Sequence, residues 1–183
     1  MFHVEQKIIM DLKEYIREIP DFPHAGINFK DITTLLKDRV AFRKVVDSIT
    51  SNFKDKGITK IVSLESRGFI IGGALAYHLD AGFVPIRKAG KLPAETISIS
   101  YELEYGIDSV EIHKDALNKN DIVLIHDDLL ATGGTAWAAL QLVNKFDVQK
   151  VYFSFICDLA FIKTPIKKTL GSYFPHILIK YEH

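Results

Sequence analysis

The chain has 183 residues, 48% of them hydrophobic, with 23 Lys and Arg against 23 Asp and Glu, so its formal charge is zero. A balanced charge excludes a domain whose main work is gripping nucleic acid or an anionic membrane, since both need a basic excess. The length is enough for a core that needs neither a disulfide framework nor a structural metal. Cys157 is the single cysteine, which rules out an internal disulfide and every cysteine-based zinc cluster and fits a reducing compartment.

The N-terminal charges at Glu5, Lys7, Asp11, Lys13 and Glu14 do not suit a signal peptide, and the longest uncharged stretch, Leu129 to Asn144, is interrupted by Thr, Gly, Gln and Asn. A cytoplasmic location is therefore expected. Ile8, Ile9, Leu12, Tyr15, Ile16 and Ile19 recur at three- and four-residue spacing, predicting an amphipathic helix that Pro20 ends. From Pro20 to Phe29, two prolines and a glycine among apolar residues predict an ordered loop. A second helix should follow, with Val40, Phe42, Val45, Val46, Ile49 and Phe53 facing inward.

The chain then alternates. Lys60–Leu64 reads as a strand, Phe69 to Leu79 as a helix, Gly82–Ile86 as a strand, Ile122–Ile125 as a strand, Thr135 to Phe146 as a helix and Val151 to Cys157 as a strand. Strands apolar on both faces and separated by helices predict an α/β fold with a mostly parallel sheet covered on both sides. Glu95 to His113 alternates around Tyr105-Gly106 and predicts a long hairpin inserted into that pattern. One domain spanning 1–183 is the economical organisation.

In such sheets ligands bind at the carboxyl ends of the strands. The strand ending at Ile125 leads into Asp127-Asp128 and then Ala131-Thr132-Gly133-Gly134-Thr135 at the start of a helix. Small residues and two hydroxyls at a helix N-terminus let main-chain N–H groups converge on a phosphate. Two carboxylates just upstream would repel that phosphate, so they should meet another part of the ligand, and sugar hydroxyls fit. An aspartate capping a glycine turn is the bland reading of either half alone, but not of both in tandem. No Gly-Lys-Ser/Thr follows, which excludes a Walker A loop.

This segment resembles the phosphoribosyl-pyrophosphate signature of the type I phosphoribosyltransferases, in the wording that adenine phosphoribosyltransferases carry. Phe22 to Thr33, Glu65-Ser66-Arg67-Gly68-Phe69, Ile86 to Pro93 and Tyr101 to Gly106 are similar to the same family, in its order and at its spacing. The resemblance implies the type I fold, with a central mostly parallel sheet, an N-terminal hood at about 20–36 and a flexible catalytic loop at about 95–113.

The resemblance also implies roles. Asp127 and Asp128 hold the ribose, and Ala131, Thr132, Gly133, Gly134 and Thr135 hold the 5′-phosphate. Ser66, Arg67, Arg87, Lys88 and Lys91 receive pyrophosphate, with Arg87 reaching a neighbouring subunit's site. Glu104 serves as general acid/base for the purine and Tyr105 packs over the pyrophosphate side, while Arg67 stabilises the leaving group. Asn28, Phe29, Lys30 and Leu159 surround adenine. Lys30 departs from a usual arginine, and His126 from a usual apolar residue. The implied reaction is adenine plus phosphoribosyl pyrophosphate to AMP plus pyrophosphate in purine salvage. Mg2+ is carried on the diphosphate with no direct protein ligand, the assembly is a homodimer, and neither nucleic acid nor membrane is a partner. Other readings are a transferase for hypoxanthine, guanine or xanthine, or a non-catalytic sensor of phosphoribosyl pyrophosphate.

Overall fold

The computed structural model describes residues 10–103 and 106–183. Glu104 and Tyr105 lie outside the described residues. The chain divides into two compact units, Met1–Lys44 and Val45–His183.

Within the N-terminal unit, Ile8 and Ile9 of the expected helix lie outside the described residues, and its stretch from Leu12 to Ile19 is corrected by the structure. A short 3-10 turn, Leu12–Tyr15, is followed by strand β1 (Arg17–Ile19), which pairs antiparallel with β2 (Phe29–Asp31). Leu12 and Ile16 are buried as the periodicity requires, but β-branched Ile16 and Ile19 suit extended backbone better than a helix, and β2 supplies the pairing. Arg17 donates from Nη2 to Asp31 at 2.5 Å across the pair. Burial raises the Asp31 carboxyl, but bonds from Arg17 and Thr33 outweigh it and hold the group at about 2. Helix α1 (Thr33–Lys37) follows, unannounced by the sequence pattern.

Helix α2 (Arg39–Phe53) is capped by the Asp38 carboxylate, which accepts from Val40 N and Ala41 N at 2.9 Å. Ala41, Val45, Val46, Ile49 and Phe53 are buried, whereas Val40 is 55% exposed, a correction to its expected inward position. A residue beside Ala41 is rotated about 100° from the buried stripe.

In the larger unit, seven strands lie in the order β5-β6-β4-β3-β7-β8-β9. They are β3 (Lys60–Leu64), β4 (Gly82–Lys88), β5 (Thr96–Leu103), β6 (Gly106–His113), β7 (Ile122–Leu130), β8 (Lys150–Leu159) and β9 (His176–Tyr181). The five from β4 to β9 are parallel, while β5 and β6 form the expected hairpin, β6 lying antiparallel to β4. Helix α3 (Gly68–His78) joins β3 to β4, α4 (Gly134–Asn144) joins β7 to β8, and α5 (Pro165–Gly171) precedes β9.

One face buries Val62, Ile86, Val123, Ile125, Phe153 and Phe155 against Ala139, Leu140, Leu142 and Val143 of α4. Each such side chain contributes about 1.5–3 kcal/mol of burial, which is why β3, β7 and β8 read as apolar runs rather than alternating strands. From β3 the chain moves to β4 on one side, and from β7 to β8 on the other. The order therefore reverses between β3 and β7, the place where an open α/β sheet leaves a crevice.

Candidate active site

The strand carrying the two acids is longer than the sequence pattern suggests. β7 continues past Ile125 to Leu130 because β8 keeps pairing with it, through Asp127↔Phe155, Leu129↔Cys157 and Leu130↔Asp158. Asp127 and Asp128 are thus strand residues, not loop residues, and their side chains leave on opposite faces.

Asp128 is buried and accepts from Arg67 Nε at 2.5 Å, so the residue capping α3 is tied to the end of β7. Asp127 Oδ1 accepts from the Asp128 N–H at 2.9 Å. Burial, and then the neighbouring Asp128 charge, push the Asp127 carboxyl well above the ordinary carboxylate range. Such a pair can accept hydroxyl hydrogen bonds and place negative charge beside a developing cation.

Gly68 makes this approach possible. A Cβ there would stand 2.9 Å from Asp127 Oδ1, 3.2 Å from His126 O and 3.3 Å from Asp127 Cα. Gly68→Ala is therefore expected to push α3 off the strand end. It should cost about 1–3 kcal/mol in urea unfolding and lower kcat/KM more than Gly73→Ala, whose Cβ meets nothing within 4 Å. Equal effects would show that the close packing does not matter.

Between the end of β7 and α4, residues 127 and 129–136 line a cavity of about 60 Å³. Thr132, Gly133, Gly134 and Thr135 form its helix-side wall, with Gly133 at φ +92° before the first turn of α4. The Thr132 carbonyl accepts from Thr164 Oγ1 at 2.7 Å, and a Cβ at Gly133 would press on Ile166, Lys167 and Leu170 at 3.1–3.3 Å. The turn is thus held from behind, and the first residues of α4 line the cavity at the front, the end of a helix where main-chain N–H groups lack helical partners. Tyr101, on the hairpin, brings its hydroxyl into hydrogen-bond reach of the Thr135 side chain. Burial raises the Tyr101 phenol.

The loop after β3 holds Glu65, Ser66 and Arg67, with a cis peptide between Glu65 and Ser66. Arg87 donates to Glu65 at 2.8 Å and to the Lys91 carbonyl at 3.0 Å, and the Lys88 N–H donates to Glu65 at 3.1 Å. The Arg87 bond, above all, lowers the Glu65 carboxyl despite its partial burial. Lys88 Nζ meets Asp108 at 3.0 Å. Glu111 accepts from the N–H groups of Lys91 and Leu92, both at 2.9 Å, and so shapes the turn. Arg87, Lys88 and Lys91 do gather beside the Glu65–Arg67 loop. The carboxylates that orient them, Glu65, Asp108 and Glu111, were missed by sequence reasoning, as was Tyr101. Opposite charges on neighbouring strands, Arg87 of β4 in register with Glu111 of β6, were the only available signal.

In the N-terminal unit, Asn28 donates to Glu18 at 2.8 Å, and buried Lys30 pairs with the same carboxylate at 2.6 Å. These two bonds lower the Glu18 carboxyl, the Lys30 bond first. Phe29 meets Phe22 edge-on, their centroids 5.2 Å apart. In the larger unit, Leu159 ends β8 nearly buried, its carbonyl accepting from Lys167 at 2.7 Å.

His126, the departure on β7, is fully buried. Burial holds its imidazole far below the ordinary value, at about 3, and the adjacent Ser154 main chain offsets this only in part, without the alignment of a hydrogen bond.

Known proteins are similar to this chain in sequence and fold. The model of the phosphoribosyl transferase domain matches residues 33–169. An adenine phosphoribosyltransferase of Bacteroides fragilis is 61% identical over 144 residues, covering 79% of this chain and 81% of its own. The solved adenine phosphoribosyltransferase of Rhodothermus marinus superposes with a TM-score of 0.86 at 47% identity, over 93% of this chain and 96% of its own. That of Giardia lamblia, complexed with 9-deazaadenine, gives 0.88 at 38% identity, over 94% and 97%. With the two acids, the glycine turn and the loop after β3 in one crevice, and with these likenesses over most of its length, the chain belongs to the phosphoribosyltransferase family.

Proposed function

We propose that this chain is an adenine phosphoribosyltransferase, a pentosyltransferase that converts adenine and phosphoribosyl pyrophosphate to AMP and pyrophosphate in purine salvage. The observation that carries this reading is the crevice between β3 and β7. There an acid pair, Asp128 buried and Asp127 half-buried against the cavity, sits between the N-termini of α3 and α4 and beside a basic cluster. Relatives named for this activity, one complexed with 9-deazaadenine, support adenine as the base. The whole chain is read as one catalytic domain, with the hood at 20–36 and the catalytic loop at 95–113.

The C1′–oxygen bond to pyrophosphate breaks, the bond to a ring nitrogen of adenine forms, and that nitrogen gives up its proton. Asp127 and Asp128 hold the ribose hydroxyls and stabilise positive charge at C1′. Residues 131–135 bind the 5′-phosphate through main-chain N–H groups and threonine hydroxyls. Ser66, Arg67, Lys88 and Lys91 receive the diphosphate, whose magnesium enters as part of the substrate. Arg87 is held by its own Glu65 and would reach a second subunit's site from there. Asn28, Phe29 and Lys30 are read as contacts to adenine.

A homodimer is supported by α3, which is apolar on both faces. Ile71 and Leu75 are buried, while Ile70 is 48%, Tyr77 85% and nearby Phe83 38% exposed. Among the described residues no helix is long and apolar enough to cross a membrane. A cytoplasmic enzyme is the reading that also fits the buried Cys157.

Incubation with magnesium, phosphoribosyl pyrophosphate and each purine base in turn tests the proposal. AMP and pyrophosphate in equal amounts, with adenine preferred over hypoxanthine, guanine and xanthine, is the expected result. Binding of phosphoribosyl pyrophosphate without turnover of any base would favour a sensor. For the catalytic loop, Glu104→Gln should slow single-turnover chemistry by about a hundredfold and leave phosphoribosyl-pyrophosphate affinity unchanged. Weakened binding with an intact chemical step would remove Glu104 from its role.

A further inference from the structure

Five of the seven buried side-chain polar atoms that lack a hydrogen-bond partner among the described residues belong to four side chains: Ser63 Oγ, both ring nitrogens of His126, Ser154 Oγ and His176 Nε2. Those four are not scattered. Ser63 pairs in register with His126, His126 with Ser154, and Ser154 with His176, so they stand side by side on β3, β7, β8 and β9. In-register residues of parallel strands project from the same face, about 4.8 Å apart. α3 covers one end of the row, where a Cβ on Gly72 would overlap Ser63 Oγ, and Phe53 of α2 covers the other, its ring centroid 5.8 Å from that of His176.

The chemistry of the row is complementary. A serine hydroxyl donates one hydrogen bond and accepts others, and a neutral imidazole donates at one nitrogen and accepts at the other. Three bonds would then satisfy all five atoms. Ser63 O–H would donate to one His126 nitrogen, the other His126 nitrogen would donate to Ser154 Oγ, and Ser154 O–H would donate to His176 Nε2. At 4.8 Å strand spacing, rotation about the serine Cα–Cβ bonds and a small tilt of the ring bring neighbours to bonding distance. Left unpaired, these five shielded atoms would instead be costly, and native cores pair nearly all such groups.

The position of the row gives it a purpose. Ser63 lies four residues before Arg67 on β3, and His126 lies two residues before Asp128 on the same face of β7. A bond between Ser63 and His126 fixes how far β7 is advanced relative to β3, and so where Asp128 meets Arg67.

We propose that Ser63, His126, Ser154 and His176 form one hydrogen-bonded row across four strands, and that His126 is thereby a positioning residue for the Asp128–Arg67 pair. The positional half rests on the role of Asp128 in holding phosphoribosyl pyrophosphate. The row itself does not, so the two are tested separately. Failure of the unaltered protein to make AMP would remove the catalytic reading and leave the row standing.

The row is tested on the full chain by a double-mutant cycle in urea with His126→Phe, Ser154→Ala and the double variant. The expected result is coupling, the effect of the double variant on the unfolding constant differing from the product of the single effects by at least about fivefold. Additive effects would overturn the row. Ser63→Ala paired with Ser154→Ala supplies a second cycle should His126→Phe not fold. Nitrogen NMR of the His126 ring at pH 7 should show one fixed, protected N–H. An averaged ring with a freely exchanging proton would also overturn it.

The positioning role is read in kinetics. His126→Phe should raise KM for phosphoribosyl pyrophosphate by about three- to tenfold with a smaller change in kcat. His126→Gln, which keeps a donor and an acceptor, should restore most of that loss. Equal kinetics for the unaltered protein and His126→Phe would confine the row to a structural part and overturn the positioning claim.

Discussion

Asp128→Asn is expected to lower kcat/KM for phosphoribosyl pyrophosphate by about a hundred- to a thousandfold while the protein stays folded. The substitution keeps the shape of the side chain and removes its charge. That charge does two things in the proposed reaction: it accepts ribose hydroxyl bonds and offsets positive charge at the anomeric carbon. It also holds Arg67, at 2.5 Å. Because Arg67 is partly exposed while Asp128 is buried, the loss of the pair should cost about 1–2 kcal/mol rather than the larger penalty of a fully buried pair. Steady-state kinetics and urea unfolding on the same preparation separate the two effects. Unchanged turnover would take Asp128 out of the chemistry, and a loss fully accounted for by the unfolded fraction would make it a folding residue.

Acid should destabilise the protein through His126 well above the range in which most carboxylates titrate. The ring titrates at about 3 in the folded chain, against about 6.5 when unfolded. Above pH 6.5 both states are neutral and the residue contributes no slope. Between 6.5 and 3 the unfolded chain binds a proton that the folded chain refuses, so stability falls as pH falls, by about 1.4 kcal/mol per unit from this group. Asp127 acts in the opposite sense. Its raised carboxyl contributes stability that is present below its unfolded value and is lost as pH rises through its folded one. The comparison with His126→Phe cancels Asp127. From pH 7 to pH 5 the unaltered protein should lose about 2 kcal/mol more than the variant in urea unfolding. Parallel pH curves would mean that the ring is hydrated and charges freely.

Much of this architecture was legible because the apolar runs at Lys60–Leu64, Gly82–Ile86 and Val151–Cys157 fit only strands buried on both faces, and the helices between them dictated a parallel sheet. The glycine turn and acid pair were legible because their residue types have few other uses in tandem. The N-terminal helix was misread because Leu12, Ile16 and Ile19 satisfy a helical period equally well when a turn and a strand carry them. The length of β7 was hidden because polar His126, Asp127 and Asp128 look like a loop, and only pairing with β8 makes them a strand. β9 and α5 escaped notice because the stretch after Cys157 has no strong period. Glu65 and Glu111 were invisible as organisers of the basic turn, since their role depends on contacts over some twenty residues of sequence.

The two sides of β7 end at different places. Its partner on one side, β3, is paired only as far as His126, whereas on the other side β8 follows it to Leu130. The strand is therefore zipped twice up to His126 and once beyond it, and the acids begin at the first singly zipped residue. They keep the stiffness of a paired strand on the β8 side, while on the β3 side the ladder has ended and the Arg67 side chain takes its place against Asp128. The boundary between rigid scaffold and working surface here is a single peptide step, set by the unequal lengths of two neighbouring strands.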